Sequence, residues 1–160
     1  ARIAGPAMKT SIIIGEILAA WEDAANTAAI DCHHNAEEDA DRLLRHGVEL
    51  PGDTTKDERA KATRAALTAI DNGREMAKAW RIIANGLRRY LRVLNVETYW
   101  QRRHRAANAP AIPWQRRHEH DAAMQAGAVV SHVVERAAIS LPSIDKIVDI
   151  AKANGIEVIE

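Results

Sequence analysis

A seven-residue rhythm runs through residues 66–94 and limits what this chain can fold into. Every seventh residue gives Ala66, Gly73, Trp80, Leu87 and Leu94, and the positions three and four further on give Ala69/Ile70, Met76/Ala77, Ile83/Ala84 and Tyr90/Leu91. Four heptads in register describe a long helix with one apolar seam turned toward a partner helix. A second stripe precedes it: Ile14, Ile17/Leu18, Trp21, Ala25, Ala28, Cys32, Ala36, Ala40 and Leu43 recur at spacings of three and four. This predicts a first helix from Ser11 to His46, about 50 Å long, closed by Gly47. Residues 47–54 carry the turn Pro51-Gly52-Asp53, and Thr55 with Glu58 matches a capping box that starts the second helix. So short a connection makes the two helices an antiparallel hairpin.

Asn95 to Tyr99 interrupts the second helix, which either stops there or kinks and continues to Asn108; Pro110 and Pro113 end it. A third helix is predicted from Trp114 to Ile139, where Ala122, Ala123, Ala126, Val129, Val130, Val133, Val134 and Ala137 cover about half the wheel. Ser143 caps a short fourth helix that ends at Asn154-Gly155. The tail Ile156-Glu157-Val158-Ile159 alternates like a strand, with no second strand evident inside the chain to pair with it. The expected architecture is all-α: an antiparallel helical bundle of two long helices in a hairpin, a third long helix and a short C-terminal helix. It comprises a flexible arm over residues 1–10, one bundle domain over 11–155 and an extended tail over 156–160.

Composition supports a packed domain. Apolar residues make up 47% of 160, enough for a core. With no Phe and two Tyr, that core must be filled by four Trp and by Ala, Ile, Leu and Val. Trp21 and Trp80 lie on helical seams and read as core fillers. One cysteine, Cys32, permits no intrachain disulfide; on its apolar stripe it reads as a small buried hydrophobe. Glu16 interrupts the apolar run at Ile12-Ile13-Ile14, and no stretch reaches about 18 apolar residues, so neither a signal peptide nor a membrane span is expected. The default is a soluble, cytoplasmic protein.

The net charge is zero but unevenly spread. Residues 1–60 carry 6 basic and 12 acidic side chains, residues 61–120 carry 13 and 4, and residues 121–160 carry 3 and 6. A basic centre between acidic flanks is either neutralised within the fold or offered to an anionic partner. Arg74, Arg81, Arg88 and, if the helix continues, Arg102 fall seven or fourteen apart, with Arg89 and Arg92 beside them. The pentapeptide Trp-Gln-Arg-Arg-His then occurs twice, at residues 100–104 and 114–118. Guanidinium groups suit phosphate, and neighbouring indoles can stack on bases. Arg88, Arg89, Arg92, Trp100, Arg102, Arg103, Trp114, Arg116 and Arg117 are therefore the candidate polyanion or nucleic-acid surface. The bland alternative has both Trp as packing anchors and the arginines meeting the acidic first helix.

Two histidine clusters could hold a metal. The first is Asp31 to Glu38, in which His34 and Glu37 have the spacing of di-metal bundle ligands and Glu38 lies beside them. Phase places them opposite Cys32, where they read as solvated pairs such as His34 with Glu38 and Asp41 with Arg45. The second is His118, Glu119, His120 and Asp121; neither matches a zinc signature. Glu38-Asp39-Ala40-Asp41 gives only the Glu-x-x-Asp half of the signature of all-helical nucleotide pyrophosphohydrolases, without an upstream Glu-x-x-Glu, and no family follows from it. Phosphate loops, dinucleotide fingerprints and nucleophile elbows are missing, so no cofactor and no catalytic residue is expected. The reading is a non-catalytic structural or adaptor protein, a homo-oligomer that self-associates through helical seams and turns an arginine-rich surface to an acidic or polyanionic partner. The alternatives are a nucleic-acid-binding helical module and a metal-dependent bundle enzyme.

Overall fold

Helix-forming seams, capping residues and breakers set the element order seen in the computed structural model, which describes residues 10–108, 114–137 and 141–159. The order is β1 (Thr10–Ile13), α1 (Ile14–His46), α2 (Lys56–Val93), α3 (Tyr99–Asn108), α4 (Trp114–Arg136), α5 (Ile144–Ala153) and β2 (Ile156–Ile159). The all-α hairpin bundle is the observed fold class. Pro110, Pro113 and Ile139 lie outside the described residues.

The chain divides into two compact units, residues Thr27–Arg81 and residues Ala1–Asn26 with Ile82–Glu160. The first of these is a helical hairpin. Its turn is built as the sequence requires. Gly47 takes a left-handed φ of 66° and donates its N–H to the Leu43 carbonyl at 2.9 Å. Thr55 and Glu58 cap one another reciprocally, each backbone N–H donating to the other's side-chain oxygen at 3.2 Å. Ala29, Ala36, Ile70, Ala77 and Trp80 are buried along the seam, and Cys32 is half-buried rather than enclosed. Gly73 lets the helices close up, since a Cβ there would sit 3.1 Å from the Ala36 methyl. Beside it Arg74 forks onto Glu37 at 2.8 and 3.4 Å.

The second unit holds β1, residues 14–26 of α1, residues 82–93 of α2, and all of α3, α4, α5 and β2. Ile12, Ile17, Leu18, Trp21, Leu87, Leu91, Val130, Val134 and Ile147 form its core. Helix α2 stops at a Schellman turn: Asn95 is left-handed (φ 56°), the Val96 N–H reaches the Leu91 carbonyl at 2.8 Å, and the Asn95 N–H reaches Arg92 at 3.2 Å. Ser143 caps α5 by accepting from the Lys146 N–H at 3.3 Å.

Two expectations are corrected here. The tail finds its partner inside the chain, because β2 pairs in parallel with β1, Ile12 opposite Val158 and Ile13 opposite Ile159. Thr10–Ile13, assigned to a loose arm and a helix start, is that strand, and α1 begins at Ile14 instead of Ser11. The β-branched run Ile12-Ile13 suits a pleated surface better than a helix start. Ile12 is buried beneath the pair, while α4 packs beside β1 and α5 beside β2.

Helix α4 passes α1 closely enough that a Cβ at Gly127 would lie 2.4 Å from the Ala20 carbonyl carbon and 2.6 Å from its oxygen. Backbone cannot yield as a flexible side chain can. Gly127→Ala should lower the unfolding free energy by about 2 kcal/mol, although alanine favours a helix over glycine by about 1 kcal/mol. Urea denaturation reads this directly, and unchanged or greater stability would contradict the close crossing.

Candidate interaction surface

The arginines of the central basic block divide into an inward and an outward set. Arg102 is the inward one. From α3 its Nη2 donates to the Ala19 carbonyl at 3.0 Å, Glu22 Oε1 at 3.0 Å and Asp23 Oδ1 at 2.6 Å, and its Nη1 donates to the Glu97 carbonyl. Glu22 is fully buried on α1 and also accepts the N–H of Tyr99, the first residue of α3. A carboxylate at a helix N-terminus satisfies an orphan donor and complements the dipole. Gln101 adds to the cap, accepting from the Thr98 N–H at 2.8 Å. Thr98-x-x-Gln101 is a capping-box spacing readable in the sequence, and it was the available signal that a separate helix begins there.

Arg102 would continue the outward row only if α2 ran on past Asn95; α2 ends at Val93, and Arg102 meets the acidic first helix instead. The helix is broken at residues 94–98, so a phase shared with Arg88 does not exist. Arg88 is half-buried, and its charge also acts on Glu22. Burial pushes the Glu22 carboxyl above its usual range; Arg102, the Tyr99 N–H and Arg88 pull it back only in part. Glu22 Oε2 is buried with no hydrogen-bond partner among the described residues, which agrees with burial as the dominant cause.

The outward set is on α2. Arg89 and Arg92 are exposed and make no ion pair among the described residues. On the same side Ile82 is 71% and Val93 84% exposed, while Ile83, Ala84, Leu87 and Leu91 are buried opposite. Tyr90 and Leu94, expected on the seam, are partly exposed at its margin. On α3, Trp100 is 58% exposed and meets Tyr99 edge-on at 4.9 Å. Exposed Arg103 lies over the Tyr99 ring at 5.5 Å and donates to its hydroxyl at 3.1 Å. Arg105 pairs with Glu97 at 2.9 Å. On α4 Arg117 is exposed, and the side chains of Trp114 and Arg116 lie outside the described residues.

The histidines of both clusters are exposed. His34 pairs with Glu38 at 3.1 Å and Glu37 is held by Arg74, whose bond and charge keep the Glu37 carboxyl below its usual range. His118, His120 and Asp121 are exposed on α4, with His120 and Glu119 acting on Glu16 of α1. Burial and then Glu119 raise the Glu16 carboxyl, and His120 opposes them. Among the described residues no three of His, Cys, Asp and Glu come together as a metal-holding group. Nor is any described helix long and apolar enough to cross a membrane. No protein-family model, curated protein or solved structure matches the chain.

Removing Arg102 leaves Glu22 buried without its main counter-charge, so Arg102→Ala should cost about 3 kcal/mol in urea unfolding. Arg89→Ala and Arg92→Ala should stay within about 0.5 kcal/mol of wild type. Equal effects from all three would remove the distinction between the inward and outward sets. The pH dependence has a defined sign. Because folding raises the Glu22 pKa, the native state binds its proton more readily. Wild type should therefore gain stability relative to Glu22→Gln as pH falls from neutrality toward the ordinary carboxylate range. Parallel stability curves for the two proteins would contradict the raised value.

Proposed function

We propose that this is a non-catalytic structural or adaptor protein of the cytoplasm, which self-associates through its helical faces and turns an arginine-bearing face to an acidic partner. The observation that carries the reading is the outer side of α2, where unpaired Arg89 and Arg92 lie among exposed Ile82 and Val93. Arginine set among apolar side chains is the composition of protein interfaces, which are depleted in Lys and Glu. The Thr27–Arg81 hairpin supports self-association independently. Two helices share only one seam, and three of the five apolar residues buried there are alanines. Ile30, Leu44 and Leu67 remain exposed on its other sides. So small a core stabilises little without further apolar burial.

A second reading, a nucleic-acid-binding module, is favoured by the Trp100, Tyr99 and Arg103 group, where an exposed indole stands beside basic side chains as in single-strand binders. Light scattering after size-exclusion chromatography, with and without oligo-dT, separates the two. Self-association predicts a mass above the 17.6 kDa monomer that is insensitive to oligo-dT. The second reading predicts a monomer that shifts with oligo-dT and quenches Trp100, with binding that weakens steeply with salt. A monomer at all concentrations overturns the first reading.

A further inference from the structure

The chain itself carries a face complementary to its outward arginines. On α2, Ile82, Arg89 and Val93 recur at intervals of seven and four, with Arg92 beside them, and no acidic residue occurs between Glu75 and Glu97. Residues 82–96 hold three arginines and no carboxylate. On α1, Ile30, Glu37 and Leu44 recur at sevens along the flank of the buried Ala29 and Ala36, with Glu38 and Asp41 further out. Ile30 is 50% and Leu44 87% exposed. Residues 31–46 hold five carboxylates against two arginines, so the two stretches are three charges negative and three positive.

Each face has the same layout, an apolar residue at either end with charge between. The apolar ends are separated by 14 positions on α1 and 11 on α2, about 21 and 16 Å along a helix. Laid antiparallel, Leu44 meets Ile82 while the carboxylates face the guanidinium groups. Glu37 is held by Arg74 of the same chain, so Glu38 and Asp41 are the carboxylates this face can offer. Glu38 is tied only to His34 and Asp41 only to Arg45, in pairs whose side chains are more than half exposed. Exposed helical pairs of this kind hold their partners by well under about 1 kcal/mol, so an intermolecular partner displaces them readily.

We infer that a second copy of this chain lays the outer face of its α1, residues 30–44, on the outer face of α2, residues 82–93. The inference deepens the self-association reading and rests on it: the acidic partner of the arginine face is another copy of the same molecule. The two faces differ, so the contact is heterologous and joins copies head to tail.

Sedimentation velocity on wild type, Arg89→Glu/Arg92→Glu and Glu38→Lys/Asp41→Lys tests it, with far-UV circular dichroism as the check on folding. All four positions are exposed, so both variants should keep the helical spectrum. Wild type should associate and weaken as salt rises, and each variant alone should associate at least about tenfold more weakly. An equimolar mixture of the two variants should recover association, because the intact acidic face of the first meets the intact arginine face of the second and the two reversed faces meet each other. Wild type that associates while either variant behaves like it overturns this contact and leaves self-association standing. Two weakened variants that fail to recover on mixing overturn the pairing of these faces. Wild type that stays monomeric overturns both.

Discussion

A carboxylate shut away from water must find its counter-charge within the protein, and Glu22 does so through Arg102 and the first N–H of α3. Neither partner is close in sequence. The hydrogen bond to Arg102 spans 80 residues and that to the Tyr99 N–H spans 77. A long helix interrupted at Asn95 would otherwise leave α3 with only Tyr99 buried to hold it. The polar clamp supplies what apolar burial does not: it fixes both where α3 begins and which of its arginines turns inward. Leaving Oε2 without a partner raises the cost of this arrangement, which the carboxyl's raised pKa records.

Local patterns carried much of the fold. The heptads identified Trp80 and Leu87 as buried, Thr55 with Glu58 gave a capping box that forms as written, and Ser143 and Gly155 bound the last helix. These features depend on neighbours three to seven residues away, so one sequence contains the information. The parallel β1–β2 pair does not: Ser11 donates to Glu157 at 3.0 Å across 146 positions, and nothing in either tetrapeptide names the other. The side on which Arg102 lies is hidden for a related reason. Helical phase is transmitted only through unbroken helix, and Asn95 resets it.

The zero net charge conceals two kinds of electrostatics. Arg74 and Arg102 meet carboxylates far away in the sequence and bind one helix to another. His34, Asp39 and Asp41 instead pair within their own helix, one turn away, where water screens them. Arg89 and Arg92 belong to neither group, and among the described residues no carboxylate pairs with them. Charge counting over blocks of sequence found the surplus; only the exposure of individual side chains shows which guanidinium groups hold it.

The division of the chain into a continuous stretch and a discontinuous one bears on how it assembles. Residues Thr27–Arg81 form an uninterrupted segment, whereas the other unit gathers pieces from both sides of it. A hairpin closes a short loop, at small entropic cost, before anything else has formed. The strand ladder must bring Thr10 to Ile156, a far longer closure. Closing the ladder therefore costs more chain entropy than closing the hairpin, and the burial of Ile12 with the packing of α4 and α5 on the strands is what offsets it.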